Sequence, residues 1–259
     1  MRNLALEVYR VAGAVMGWVL WLLFTLAWGA LVLPLTLLLG QVWPSAFELH
    51  AQLTHGALRL FVQTLSFARI RIEGGDHRLA GARVLVANHQ SRLDSPVMLA
   101  VEPRLFGPVR GYMLRVPIIG RVIRMLGFFD ADADFDTVEA MNRAAERARS
   151  CGAGLLFYPE GTRSEPGEVG HFHRGAFRAA FDHDLPIQPV VIEGLDQAFP
   201  RGCVISPVRG RHLVRIRYLE PLYPPYGTGP RRDVVRALAE RVRKTLVDEL
   251  AKLRAERET

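Results

Sequence analysis

Lysine is nearly missing from this 259-residue chain: Lys244 and Lys252 are the only two among 33 basic residues. The rest are arginines, the better bidentate partners for phosphate and carboxylate, although a compositional bias of the source accounts for the same count. Cysteine occurs twice, at Cys151 and Cys203, in no CxxC or zinc-type spacing. That excludes a disulfide framework and fits a reducing cytoplasmic setting. No GxSxG elbow supports a serine hydrolase, and no HExxH or Cys/His cluster supports a metal site. There is no internal repeat and no low-complexity segment. With 49% apolar and 23% charged residues the composition is globular, which excludes a disordered or collagen-like chain. The most telling absence is local. Val11 to Phe47 runs 37 residues without one Asp, Glu, Lys or Arg.

About 20 apolar residues cross a bilayer core, so this run reads as a membrane anchor. A cleaved signal peptide is the rival, but its apolar region would span only about 7–15 residues. As one helix the run would reach roughly 55 Å against a hydrocarbon core of about 30 Å, and Pro34 and Gly40 interrupt it. Either a tilted span with an interfacial extension or two helices that dip in and return would satisfy that length. Arginines flank both sides, Arg2 and Arg10 before and Arg59, Arg69 and Arg71 after, so the positive-inside rule assigns no crossing. With both flanks cytoplasmic, the returning hairpin is the better arrangement. All four tryptophans, Trp18, Trp21, Trp28 and Trp43, lie in or beside this run, where their amphipathic rings suit an interface.

The remaining residues, 48–259, suffice for one well-buried domain. Glu48 to Ser66 has helical periodicity, and short apolar runs follow at Arg69–Glu73, Arg83–Ala87, Gly154–Tyr158, Pro189–Glu193 and Val214–Leu219. Helical stretches at about 96–102, 136–149, 173–182 and 231–255 separate them. Strands alternating with helices predict an α/β domain whose central, mostly parallel sheet is flanked by helices. The acidic run Asp130, Asp132, Asp134, Asp136 and Glu139 opens one helix and Arg143, Arg147 and Arg149 close it. This ordering complements the macrodipole, and capping explains the carboxylates better than a metal does. The last helix carries an apolar stripe from Val234 to Leu253 and a basic opposite face, suited to solvent or anionic lipid.

Chemistry concentrates at two strand ends. Asn88-His89-Gln90-Ser91-Arg92-Leu93-Asp94 follows the run 83–87, at the strand end where α/β sites gather. On one helix His89 and Asp94 would point about 140° apart. They meet only if His89 lies on the loop and Asp94 opens the helix, which Ser95-Pro96 supports. Taken singly, Asp94 reads as a cap and His89 as a loop histidine. Together they form a general base and the carboxylate that orients it, for activating a hydroxyl or water. The second segment, Phe157-Tyr158-Pro159-Glu160-Gly161-Thr162-Arg163-Ser164, brings a carboxylate, a hydroxyl and a guanidinium to one loop. Gly161 permits close backbone approach, and Arg163 suits bidentate phosphate binding. Alone, the same letters describe a turn with an exposed ion pair.

His and Asp separated by four residues, followed by PEGTRS, resemble the membrane glycerolipid acyltransferases, specifically the 1-acylglycerol-3-phosphate acyltransferases. The resemblance runs from about Leu79 to Leu195. It includes Pro117-Ile-Ile-Gly120 with Gly127 and Phe129, the block Phe172-His173-Arg174-Gly175-Ala176-Phe177, and Leu185–Ile192. It implies transfer of a fatty acyl group from acyl-CoA or acyl carrier protein to a lysophospholipid hydroxyl, with no cofactor. His89 would be the base and Asp94 its orienting partner. Asn88, Glu160, Gly161, Thr162 and Arg163 would contact the acceptor, with Arg174 extending the basic wall. The implied setting is the cytoplasmic face of the inner membrane, in contact with the bilayer. The formal charge of +7 then serves lipid headgroups and acidic acyl donors, not nucleic acid, for which no motif is present. A membrane-tethered lipid-binding protein without catalysis is the alternative of another class, and the intact His89 and Asp94 argue against it. One departure stands out: the family has an arginine soon after the phenylalanine of its second block, and here Asp130-Ala131-Asp132 follows Phe129. A lyso-aminolipid or lysophosphodiester acceptor therefore stays open beside the phosphomonoester.

Overall fold

The structure is a computed structural model that describes residues 22–39, 42–43, 46–64, 68–102, 104–132, 134–165, 168–201, 203, 206 and 212–258, with residues 8, 11, 12, 15, 16 and 19. Helix α1, Leu22–Leu39, has a mean hydropathy of 2.2, and only 11% of it is buried in the protein. A core helix of a soluble protein would be buried; this one turns Leu22, Leu23, Leu26, Leu31, Leu35 and Leu38 outward. Its turn Trp28–Val32 widens to π geometry, with the Leu33 N–H bonding Trp28 O. Pro34 accounts for this, because it removes the N–H due to Ala30 and its ring crowds that carbonyl. Helix α2, Ala46–Thr64, folds back on α1. Thr36 Oγ1 donates to Val32 O at 2.7 Å and sits 3.1 Å from the buried His50 Nδ1. Among the described residues the uncharged run contributes one long helix, α1, and the helix that folds back on it, α2, begins at Ala46 and carries Glu48 and Arg59. The boundary expected between residues 47 and 48 falls inside α2, so one helix leaves the apolar run and enters the domain. Trp28 is half-buried and Trp43 exposed, while Trp18 and Trp21 lie outside the described residues.

The domain then alternates as the sequence predicts, with strands β1 Ala68–Glu73, β2 Arg83–Ala87, β3 Leu105–Phe106, β4 Pro108–Val109, β5 Phe129–Asp130, β6 Gly154–Phe157, β7 Ile187–Glu193 and β8 His212–Tyr218. The helices are α3 Asp94–Val101, α4 Gly111–Arg115, α5 Ile119–Leu126, α6 Asp134–Cys151, α7 Gly175–Asp182, α8 Leu195–Ala198 and α9 Arg231–Glu258. Six strands form one sheet in the order β1-β8-β7-β2-β6-β3, and β4 pairs β5 separately. Every pairing is parallel except β7 with β8. Pro189 is accommodated inside β7 because it precedes the β8 pairing, which begins at Val190↔Tyr218, and a proline has no N–H for the ladder.

Burial on both faces explains the near-continuous apolar strands. From β2, Val84 and Val86 pack with Phe177, Val242, Leu246 and Leu250 of α7 and α9. Leu85 and Ala87 pack on the other face with Val97, Met98 and Ile216. Each such side chain contributes about 1.5–3 kcal/mol on burial. Helix α2 packs on α3, with His55 Nδ1 2.7 Å from Leu99 O and Val62 in the core beside Val97, and α1 comes close at Gly29, where a Cβ would collide with the Ile118 side chain. The segment Pro117–Gly120 is therefore the surface against which α1 rests. Registers Val84↔Leu155 and Val86↔Phe157 bring β2 and β6 to the same sheet edge, so the loops after them emerge side by side.

Candidate active site

His89 lies on the loop after β2 and Asp94 is the first residue of α3, as their five-residue separation requires. His89 Nδ1 is 2.8 Å from Asp94 Oδ2. A carboxylate only accepts, so Nδ1 carries the proton and Nε2 is the basic nitrogen. The same Oδ2 accepts the N–H groups of Gln90 and Ser91, each at 2.8 Å. These three donors compensate the charge of a carboxylate that is fully buried. Tyr158 stacks on the imidazole at 4.3 Å between centroids and 24° between planes. Burial, with the Asp94 carboxylate beside it, pushes the Tyr158 phenol well above its usual range. The ring is a neutral apolar wall against His89. No role for Tyr158 was legible from its place before PEGTR.

Glu160 sits behind this pair. Its Oε1 accepts the His89 N–H at 2.7 Å, and its Oε2 accepts the Gly170 N–H at 2.8 Å and the Ser164 hydroxyl. The Ser164 N–H returns to His89 O at 2.9 Å, so the two loops are sewn together at His89. Glu160, expected at the acceptor, is buried, and both carboxylate oxygens bond to the protein. Asn88 is likewise committed, with Nδ2 donating to Ile192 O and Oδ1 accepting the Ile192 N–H, both at 2.8 Å. It joins the ends of β2 and β7. Gly161 has φ +67°, and a Cβ would meet the His173 ring at 3.0 Å, which is why glycine stands there.

The basic residues line the outer side. Arg163 is half-buried, and its Nη1 is buried without a hydrogen-bond partner among the described residues. Thr162 is exposed, and Arg174 is half-buried at the N-cap of α7. Arg110, which no motif marks, reaches the same loop. Its Nη2 donates to Gly161 O at 3.1 Å and its Nη1 pairs with Asp132 Oδ1 at 2.9 Å. The Gly111 N–H and then the Arg110 guanidinium hold the Asp132 carboxyl below the usual carboxylate range. Part of the acidic run is therefore neutralised beside the site, while the side chains of Asp134 and Asp136 lie outside the described residues.

His89 and its carboxylate partner thus stand at the end of a strand in a mostly parallel sheet, where α/β sites gather. Residues 69–193, a little under half of the chain, match the model of the family described as Acyltransferase. The relatives it resembles are 1-acyl-sn-glycerol-3-phosphate acyltransferases. That of Saccharomyces cerevisiae is 27% identical over 200 residues, which is 71% of this chain and 60% of that protein. The chloroplastic protein of Arabidopsis thaliana is 31% identical over 140 residues, covering 52% and 39%. The human alpha form is 28% identical over 235 residues, covering 89% and 77%. The chain spans between 39% and 60% of the length of the yeast and plant relatives. In fold it matches the crystal structure of the 1-acyl-sn-glycerophosphate acyltransferase of Thermotoga maritima. The TM-score is 0.72 at 20% identity, over 98% of this chain and 100% of that one.

Proposed function

We propose that this chain moves a fatty acyl group from acyl-CoA or acyl carrier protein to the free hydroxyl of 1-acylglycerol-3-phosphate, giving phosphatidate in phospholipid biosynthesis. The observation that carries this reading is the His89 Nδ1–Asp94 bond of 2.8 Å, which presents Nε2 as a base beside an arginine-bearing loop. Nε2 takes the acceptor's hydroxyl proton as the oxygen attacks the thioester carbonyl carbon. The C–S bond then breaks, and the imidazolium returns the proton to the leaving thiolate. Asp94 stabilises the imidazolium throughout, and no acyl-enzyme is formed. Arg163 receives the acceptor's phosphate, with Arg174 and Thr162 at the rim. The apolar helix α1 supports residence in a bilayer, where the lysolipid hydroxyl resides. The setting that goes with this reading is the cytoplasmic face of the inner membrane, where basic residues on both flanks of the run would meet anionic lipid.

Asp132 favours a second reading. Its carboxylate occupies Arg110 next to Gly161, and a carboxylate repels a phosphomonoester at such range. An acceptor with a cationic or diester headgroup, a lyso-aminolipid or lysophosphodiester, would meet less repulsion. The mechanism itself is tested by His89→Ala. Positioned proton transfer is worth about 10²–10⁴-fold, so turnover should fall by that factor in a folded, membrane-bound protein. Unchanged turnover would reject His89 as the base.

A further inference from the structure

The contacts behind His89 do not stop at Glu160, and they leave the matched domain altogether. Gly170, whose N–H meets Glu160 Oε2, belongs to a loop held from two sides. Gln90 Nε2 donates to Glu168 O at 3.0 Å. From α9, Arg243 Nη2 donates to Val169 O at 2.9 Å and Arg243 Nε to Gly170 O at 2.8 Å. The carbonyl of Val169 and the N–H of Gly170 are two ends of one peptide unit. A guanidinium therefore grips the oxygen end of the peptide whose nitrogen end holds Glu160. Hydrogen bonds in series polarise one another in a low-dielectric interior, and a planar fork on two successive carbonyls fixes orientation as well as position. Space is tight at this junction: a Cβ on Gly170 would lie 2.9 Å from Ser164 Oγ.

We propose that Arg243 is a positioning residue for His89, acting through the Val169–Gly170 peptide and Glu160. It lies 50 residues beyond the matched segment 69–193, on the face of the last helix that composition alone assigns to solvent. Fixing the His89 backbone from behind sets where Nε2 stands against the acceptor hydroxyl. The proposal rests on His89 being the base.

The test is steady-state kinetics of the full chain in lipid vesicles, comparing Arg243→Ala, Arg243→Lys and His89→Ala with the parent. A displacement near 1 Å costs up to about 10²-fold in rate, so Arg243→Ala should lower kcat by about tenfold while leaving both KM values within about twofold. Arg243→Lys, which keeps one charged donor, should restore part of that loss. Arg236→Ala, which loses only the exposed pair with Asp233 at 3.3 Å on the same helix, should leave kcat unchanged. If Arg243→Ala does not fold, the kcat of Arg243→Lys decides alone: a loss at constant KM supports the role. Full kcat in the Arg243 variants beside a dead His89→Ala overturns the positioning role and leaves the base intact. A fall in melting temperature with unchanged kcat overturns it equally. Undiminished turnover in His89→Ala overturns the underlying reading instead.

Discussion

A neutral imidazole is a useful base only when one nitrogen is held and the other is left open. His89 meets that condition through Asp94, and its backbone is gripped from both sides, by Glu160 on the N–H and Ser164 on the carbonyl. The spacing of His89 and Asp94 made their pairing legible, because it admits contact only across a loop-to-helix junction. Glu160 was not legible in the same way. Its partner is a backbone N–H 71 residues away, and a carboxylate's letter does not say whether it meets a substrate or a peptide. Asn88 misleads for the same reason, since its target is the β7 backbone. Arg163 stands in the position the motif suggested, with Nη1 unpaired and buried. Removing a charged hydrogen bond is worth about 1.5–3 kcal/mol. Arg163→Ala should therefore raise the acceptor KM by more than about tenfold and leave the donor KM nearly unchanged; equal effects on both would reject a phosphate role.

At the level of elements, the long strands and helices follow their apolar periodicity closely, and β2 coincides with its predicted range. What periodicity could not show are β3, β4, β5, α4 and α8, each too short to complete a pattern, and α5, as long as α3 and α7, also went unread. Those short pieces deliver Arg110 and Asp132 to the site. The far edge of the sheet is locked by charge. Glu73 on β1 accepts from Arg215 Nε at 3.0 Å and from Arg217 Nε at 2.8 Å, and Arg217 also reaches Glu249 of α9. Burial works to raise the Glu73 carboxyl, but the Arg215 and Arg217 hydrogen bonds and charges outweigh it and hold the carboxyl below its ordinary value near 4.5. A depressed carboxyl stabilises the fold above its ordinary value and ceases to do so as pH falls through the folded one. Glu73→Gln should accordingly cost about 2 kcal/mol near neutral pH, and the difference from the parent should close in acid, as pH falls below the ordinary carboxylate value. Thermal melts at both pH values check this, and a difference independent of pH would contradict it.

On the scale of the molecule, two features of the chain converge. The uncharged run supplies helix α1, whose Gly29 rests against Ile118, and the mostly parallel sheet gathers its chemistry at the ends of β2 and β6. The way α2 continues into the domain was not legible, because a continuous helix leaves no mark where one role ends and another begins. The far reach of the catalytic support into α9 was also hidden, since an arginine on a polar helix face reads as solvated. An acceptor panel tests whether the protein is a lysolipid acyltransferase. Full-length protein in vesicles is given lysophosphatidate, a lysophosphodiester or a lyso-aminolipid, each with acyl-CoA and with acyl carrier protein. The prediction is acylation of lysophosphatidate to phosphatidate, dependent on His89, with a higher rate than for either other acceptor. Transfer confined to a lyso-aminolipid or lysophosphodiester would contradict the acceptor, and no transfer from either donor would contradict the enzyme.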